Sequence, residues 1–143
     1  MTYELLGRNK YALGAGRTTS SFLGEEWRLI LVSKGSACYK IDRQEFLVEA
    51  GSMFLLGPCS RIIDVGVDEA FEIEIIFFSA IDFLKCDFIV VLDRGRRYRL
   101  LRDMFYEVFH DDADSIGNQL ILDGLLSLFL RSLVGLGLPL QEE

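Results

Sequence analysis

A single histidine, His110, and three cysteines, Cys38, Cys59 and Cys86, are all the imidazole and thiol in this chain of 143 residues. A protein-bound transition metal needs three or four imidazole, thiolate or carboxylate groups converging on one point. One imidazole and an odd set of thiols without ligand spacing do not supply them, so no metal and no cofactor is expected. The cysteines read as reduced packing residues of a cytosolic protein. His110 falls near the end of a predicted helix, where the backbone dipole favours a cation. Nucleophilic catalysis is equally short of parts, because Cys59 and Ser60 have no neighbouring histidine to activate them. No catalytic residue is assigned.

Long apolar runs are missing too. A bilayer span needs roughly 18 consecutive apolar residues, and the nearest stretch, Leu120–Leu138, is interrupted by Asp123 and Arg131. The start, Met1-Thr2-Tyr3-Glu4, has no basic region ahead of an apolar one, so no secretory signal is read. No membrane partner is expected, and a cytoplasmic location is the default. Positive charge is scarce: 15 Lys and Arg against 22 Asp and Glu give a formal net charge of −7. That balance disfavours direct contact with a phosphate backbone. The one basic cluster, Arg94, Arg96, Arg97, Arg99 and Arg102, reads as a solvated helix face paired with local acids such as Asp103. Gly14-Ala15-Gly16 lacks the strand–loop–helix setting of a phosphate site and reads as a turn.

What is abundant is apolar sequence, at 50% of residues, which suits one folded domain of this length. Residues 1–82 carry nearly all the strand signals, and 83–143 read as a linker and helical segment of the same domain. Tyr3–Leu6, Tyr11–Leu13 and Thr18–Phe22 are short candidates divided by Gly7, Gly14 and Gly16. Trp27–Val32 is a firmer strand with Ser33-Lys34-Gly35 as its turn, and Ala37–Ile41 with Glu45–Val48 forms a hairpin. Met53–Leu56 ends at Gly57-Pro58, because proline cannot donate to a ladder. In Ala70–Ser79, Phe71, Ile73, Ile75 and Phe77 share one face, while Glu72 and Glu74 stand opposite and are expected in solvent. Short strands with glycine turns point to a mainly β sandwich or barrel.

From about residue 94 the period changes from that of a strand to that of a helix. Tyr98, Leu101, Phe105 and Val108 fall on one helical face, and Asp114 or Ser115 is placed to cap a second helix. In that second helix Gln119, Asp123, Ser127 and Arg131 form one polar stripe. The apolar arc opposite spans roughly 200°, about twice what one core-facing stripe requires. Such a helix is expected to be covered on two sides, by its own domain and by a partner.

Gly35, the hairpin, Gly51, Leu55-Leu56, Pro58 and the long strand ending Ile76-Phe77-Phe78 together resemble the N-terminal regulatory domain of AraC-type transcription regulators. The resemblance covers roughly residues 11–134. It implies a cupin-like double-stranded β-barrel followed by a two-helix dimerisation extension, a small-molecule effector in the barrel, and a homodimer through the C-terminal helix. It also implies DNA contact only through a helix-turn-helix domain absent from this chain, which then reads as a sensor domain. Two positions depart from the family pattern: Gly51-Ser52 stands where Gly-Asp is frequent, and Cys59-Ser60-Arg61 where a histidine is common.

On this basis the candidate ligand-binding residues are Tyr11, Arg17, Trp27, Tyr39, Met53, Ile73 and Ile75, with Leu55 and Phe77 also inward. Tyr11, Arg17 and Trp27 are assigned to the mouth, and Arg17 or Arg61 to an anionic group. A one-residue slip near Trp27 would turn Arg28 and Ile30 inward instead. The candidate dimer seam is Leu122, Leu125, Leu126, Phe129 and Leu133. Two competing classes remain at this point: a metal-independent cupin enzyme of isomerase or lyase type, and a ligand-free interaction module.

Overall fold

A computed structural model describes residues 3–14, 16, 18–22, 26–41, 44–57, 62–67, 69–80, 90–91, 96–110 and 120–128. Nine strands precede the helices in the described chain: β1 (Tyr3–Leu13), β2 (Thr18–Phe22), β3 (Trp27–Lys34), β4 (Ser36–Ile41), β5 (Gln44–Glu49), β6 (Met53–Leu56), β7 (Ile62–Gly66), β8 (Phe71–Ala80) and β9 (Val90–Val91). They pair antiparallel into a five-stranded sheet, ordered β1-β8-β3-β6-β9, and a four-stranded sheet, ordered β2-β7-β4-β5. Helix α1 (Arg96–His110) follows, and residues 120–128 form α2. The architecture is a cupin-like barrel of two facing sheets with two C-terminal helices.

The strands form where β-branched and aromatic residues cluster, but their boundaries depend on tertiary pairing. Gly7 does not divide the first strand: β1 runs through it, and a register shift between Leu5 and Gly7 absorbs the irregularity along β8. β7 and β9 answer to no strand read from the sequence, being short and lacking alternation. Because β9 pairs with β6, strand pairing continues beyond residue 82.

Both faces of the five-stranded sheet are buried, and period two sorts its side chains. Ile30 and Val32, Phe54 and Leu56, and Phe71, Ile73 and Ile75 point toward the four-stranded sheet, meeting Ala37, Tyr39, Val48 and Val65. Trp27, Leu29, Leu31, Met53, Leu55, Ile76 and Phe78 point the other way, onto Leu101, Phe105 and Val108 of α1 and Leu122, Leu125 and Leu126 of α2.

One end of the barrel is fixed by two turns. Gly35 and Gly51 have φ of 79° and 92°, the left-handed region that side chains resist. A Cβ on Gly35 would also overlap the Ala70 carbonyl oxygen. Ala50 donates its backbone N–H to the Gly35 carbonyl at 2.8 Å, and Gly51 donates to that of Val32 at 2.8 Å. Ser52 follows, its hydroxyl accepting from the Glu49 N–H at 3.2 Å. These glycines hold two adjacent turns together, which gives their spacing in the sequence a structural cause.

At the far end of α1, Arg8 of β1 donates to the Val108 carbonyl at 2.8 Å, satisfying one of the helix's open acceptors. His110 Nε2 lies 3.6 Å from Glu74 Oε2. Glu74 is therefore not in solvent as its alternation suggested. It is 6% exposed, and Oε2 is buried without a hydrogen bond. The face of β8 that carries it is covered by the last turn of α1.

Candidate functional site

Between the two sheets lies a cavity of about 310 Å³, walled by residues of β1, β3, β4, β6, β7 and β8. Ladder register brings them together. Tyr11 lies beside Ile73, Ile75 beside Ile30, Arg28 beside Leu56, and Tyr39 beside Val65 across the gap. That space is far more than one water requires and admits a small organic ligand. That volume sits at the small end of ligand sites, about 300–1,000 Å³.

The wall is mostly aliphatic and aromatic, with polarity concentrated in a few places. Tyr11 is exposed at the rim, where its hydroxyl accepts from the Asn9 amide at 3.1 Å. Tyr39 is buried, its ring edge-on to Phe54 at 5.1 Å and to Phe71 at 6.4 Å. Burial pushes the Tyr39 hydroxyl well above the usual tyrosine range, only partly opposed by the Arg28 charge, so it remains a protonated donor.

Among the described residues, Arg28 supplies the cationic group of the lining. Its Nη2 donates to Glu26 Oε1 at 3.2 Å, and the guanidinium carbon lies 5.3 Å from the centre of the Phe77 ring. Its side chain is 19% exposed, while Nε is buried and has no hydrogen-bond partner. A buried donor left unmatched costs about 1–3 kcal/mol, more when charged. The energetic irregularity of the site is therefore concentrated at this atom.

Of the residues selected from the sequence, Tyr11, Tyr39, Ile73 and Ile75 meet at the cavity. Trp27 and Met53 do not: they belong to the opposite cluster with Leu55 and face the helices, a correction imposed by register. Arg28 pairs with Leu56 and Ile30 with Phe54, so the inward set on β3 and β6 is the neighbouring one. In β6 every residue, Met53-Phe54-Leu55-Leu56, is apolar and buried, so hydropathy carries no phase there. Arg28 itself was the available signal, as the single charge in an otherwise apolar strand segment. Arg17 and Arg61 lie outside the described residues.

The dimer-seam assignment also changes. Leu122, Leu125 and Leu126 are fully buried within the chain against β3, β6, β8 and α1, and are not available to a second copy. Phe129 and Leu133 lie outside the described residues. On α2, Leu120 is 65% exposed. Among the described residues no group of three His, Cys, Asp or Glu is placed to hold a metal, and no helix is long and apolar enough to cross a membrane.

No family model matches the chain, and no curated protein matches it in sequence. Solved structures do match it in shape. ToxT from Vibrio cholerae, an AraC-family regulator, superposes over 100% of this chain and 61% of its own, with a TM-score of 0.65 at 9% identity, in a structure with (E)-4-(8-methylnaphthalen-1-yl)but-3-enoic acid bound. A structure of ToxT with an unsaturated fatty acid bound gives 0.64 at 13% identity, over 98% of this chain and 58% of ToxT. The chain has the fold of the ToxT regulatory domain. YhaK from Escherichia coli, a cupin-like protein, matches 64% of this chain and 43% of its own, with a TM-score of 0.56 at 16% identity. The chain thus spans about three-fifths of the ToxT length.

Proposed function

We propose that this chain is the effector-sensing and dimerisation domain of an AraC-type transcription regulator, and that it captures a small molecule with an apolar body between its two sheets. The observation that carries the proposal is the 310 Å³ cavity with its largely apolar wall, inside a fold shared with ToxT. Both acids bound in the ToxT structures are mainly hydrocarbon, which supports an apolar ligand body here. Among the described residues the lining holds Arg28 and two tyrosines and no carboxylate or imidazole, a set suited to holding a ligand.

In this proposal β8 transmits occupancy. Ile73 and Ile75 face the cavity, whereas Glu74 and Ile76 between and beyond them face the helix side. A ligand that favours one setting of β8 also favours one seating of α1, through Ile76 and through the Glu74–His110 contact. Self-association is assigned to the surface of α2 around Leu120, with Phe129 and Leu133 as further candidates. DNA contact is assigned to a separate helix-turn-helix domain, in keeping with the net charge of −7.

Thermal unfolding against a panel of apolar metabolites, with and without chelator, tests this function. A true effector at about a hundredfold its Kd should add roughly 2.7 kcal/mol of stability, because it binds only the native state. Chelator should leave the midpoint unmoved. A midpoint lowered by chelator would contradict a metal-free site. A panel without any stabilising compound would favour the filled interaction module.

A further inference from the structure

We infer that the last turn of α1 is a two-state latch, held down by Arg8 and pushed open by the buried carboxylate of Glu74. This goes beyond the effector reading: it concerns how α1 is seated on the sheet, whatever the cavity binds.

Two charged side chains from neighbouring strands meet this turn with opposite effects. β1 contributes Arg8, whose Nη1 donates to the Val108 carbonyl at 2.8 Å and reaches the Phe109 carbonyl at 3.5 Å. The last carbonyls of a helix have no partner within it and carry the negative end of its dipole. A guanidinium is therefore a strong cap there, and it ties the helix end to a strand at the edge of the sheet. Phe109 adds apolar contact, its ring stacked on Phe105 with centroids 5.9 Å apart.

Against these stands Glu74 of β8, whose ladder neighbours are Lys10 on β1 and Leu31 on β3. Its Oε2 is buried with no hydrogen bond. Among the described residues His110 alone is an ionic partner for it, with Nε2 at 3.6 Å, beyond hydrogen-bond reach. The His110 side chain is 62% exposed, so water screens the attraction. A carboxylate oxygen shut away from water without a partner favours any conformation that lets water in. Lifting the last turn does so, because that turn covers Glu74.

Lifting also breaks the Arg8 bonds and uncovers Val108, which is fully buried when the turn is seated. Helix ends are where such local opening is cheapest. The chain leaves α1 at this turn on its way to α2, and β1 runs on from Arg8 to Tyr11 at the cavity rim. The latch thus sits between a strand of the cavity and the helix pair.

A rigid seat and a latch respond differently to the same substitutions. The experiment is residue-resolved amide hydrogen exchange by NMR, at one pH, on the wild type, Arg8→Met, Arg8→Lys, Glu74→Gln and the double variant Arg8→Met/Glu74→Gln. Amides of Val108, Phe109 and His110 report the latch, and those of Met104 and Phe105 report the middle of the helix. Arg8→Met should speed exchange at the three latch amides by about ten-fold relative to the middle, as expected for a lost charge-assisted bond. Arg8→Lys should recover part of that loss. Glu74→Gln should slow the latch amides several-fold, and the double variant should fall between the two single ones.

Circular dichroism checks that each variant is folded. Should Arg8→Met not fold, Arg8→Lys and Glu74→Gln decide by the same signs. Faster latch exchange in Glu74→Gln would make the carboxylate a tie to His110 and overturn the latch. So would an Arg8 effect spread evenly along α1, or no change in either single variant.

Discussion

On one face of the five-stranded sheet Leu29, Leu31, Met53, Leu55, Ile76 and Phe78 meet two helices. On the other, Arg28, Ile30, Leu56, Ile73 and Ile75 border a cavity. The strands are shared, and much of the composition is the same. The helix face is filled by Phe105 and by three leucines of α2, each fully buried. The barrel face instead meets a second sheet across a gap, which an arginine and two tyrosines border. Hydrophobicity alone thus does not distinguish a structural core from a binding cavity. Shape mismatch does: one face is filled by helices, the other faces a gap.

The comparison is broken most severely on the helix face. Leu126→Asp would bury an unpaired charge among Phe105, Leu122 and Leu125, and should cost more than about 4 kcal/mol or prevent folding. Chemical denaturation checks it. Loss of self-association with an unchanged unfolding midpoint would instead return Leu126 to a dimer seam. Next in size, Phe105→Ala should lose about 3–5 kcal/mol, against about 0.5–1.5 kcal/mol for Ile75→Val beside existing empty space. Equal losses in urea titrations would mean that the two faces are packed alike.

Gly35→Ala tests the turns between the faces. A left-handed backbone and a blocked Cβ should cost at least about 2 kcal/mol, and a thermal shift below that of Ile75→Val would refute the close approach. The smallest effect concerns alkali. Tyr39 is neutral in the fold and its ionisation is opposed by burial, so its folded value is raised above the unfolded one. Its contribution to stability is complete below about pH 10 and is lost as pH rises through the folded value. Phenolate absorbance should show Tyr39 ionising only as the chain unfolds, and early ionisation in the native state would place it in water.

Much of the fold was legible because particular segments carry a period. Phe71 to Ile75 alternates cleanly, and Leu101, Phe105 and Val108 mark a helical stripe that the structure buries in full. Gly35 and Gly51 were readable as turns for the reason the backbone confirms, their positive φ. The resemblance built on them is matched by the fold of ToxT. The site was only half legible. Ile73 and Ile75 follow from alternation, but Trp27 and Met53 were placed on the wrong face because β3 and β6 are apolar on both. Only ladder pairing fixes such a phase. Glu74 was missed for the opposite reason: its alternation is correct, but what covers it is the helix end at His110, 36 residues later. The width of the apolar arc on α2 was likewise visible, whereas which leucines face the domain was not.

The most direct test of the two-faced sheet uses isoleucines that alternate along it. Ile30, Ile73 and Ile75 line the cavity, and Ile76 lies one residue further in the helix-side core. Methyl NMR of isoleucine-labelled protein during octanoate titration reads all four at once. Large saturable shifts at Ile30, Ile73 and Ile75, with a much smaller one at Ile76, are the predicted result. Shifts confined to Ile76, or none at the three cavity methyls, would contradict a ligand site between the sheets.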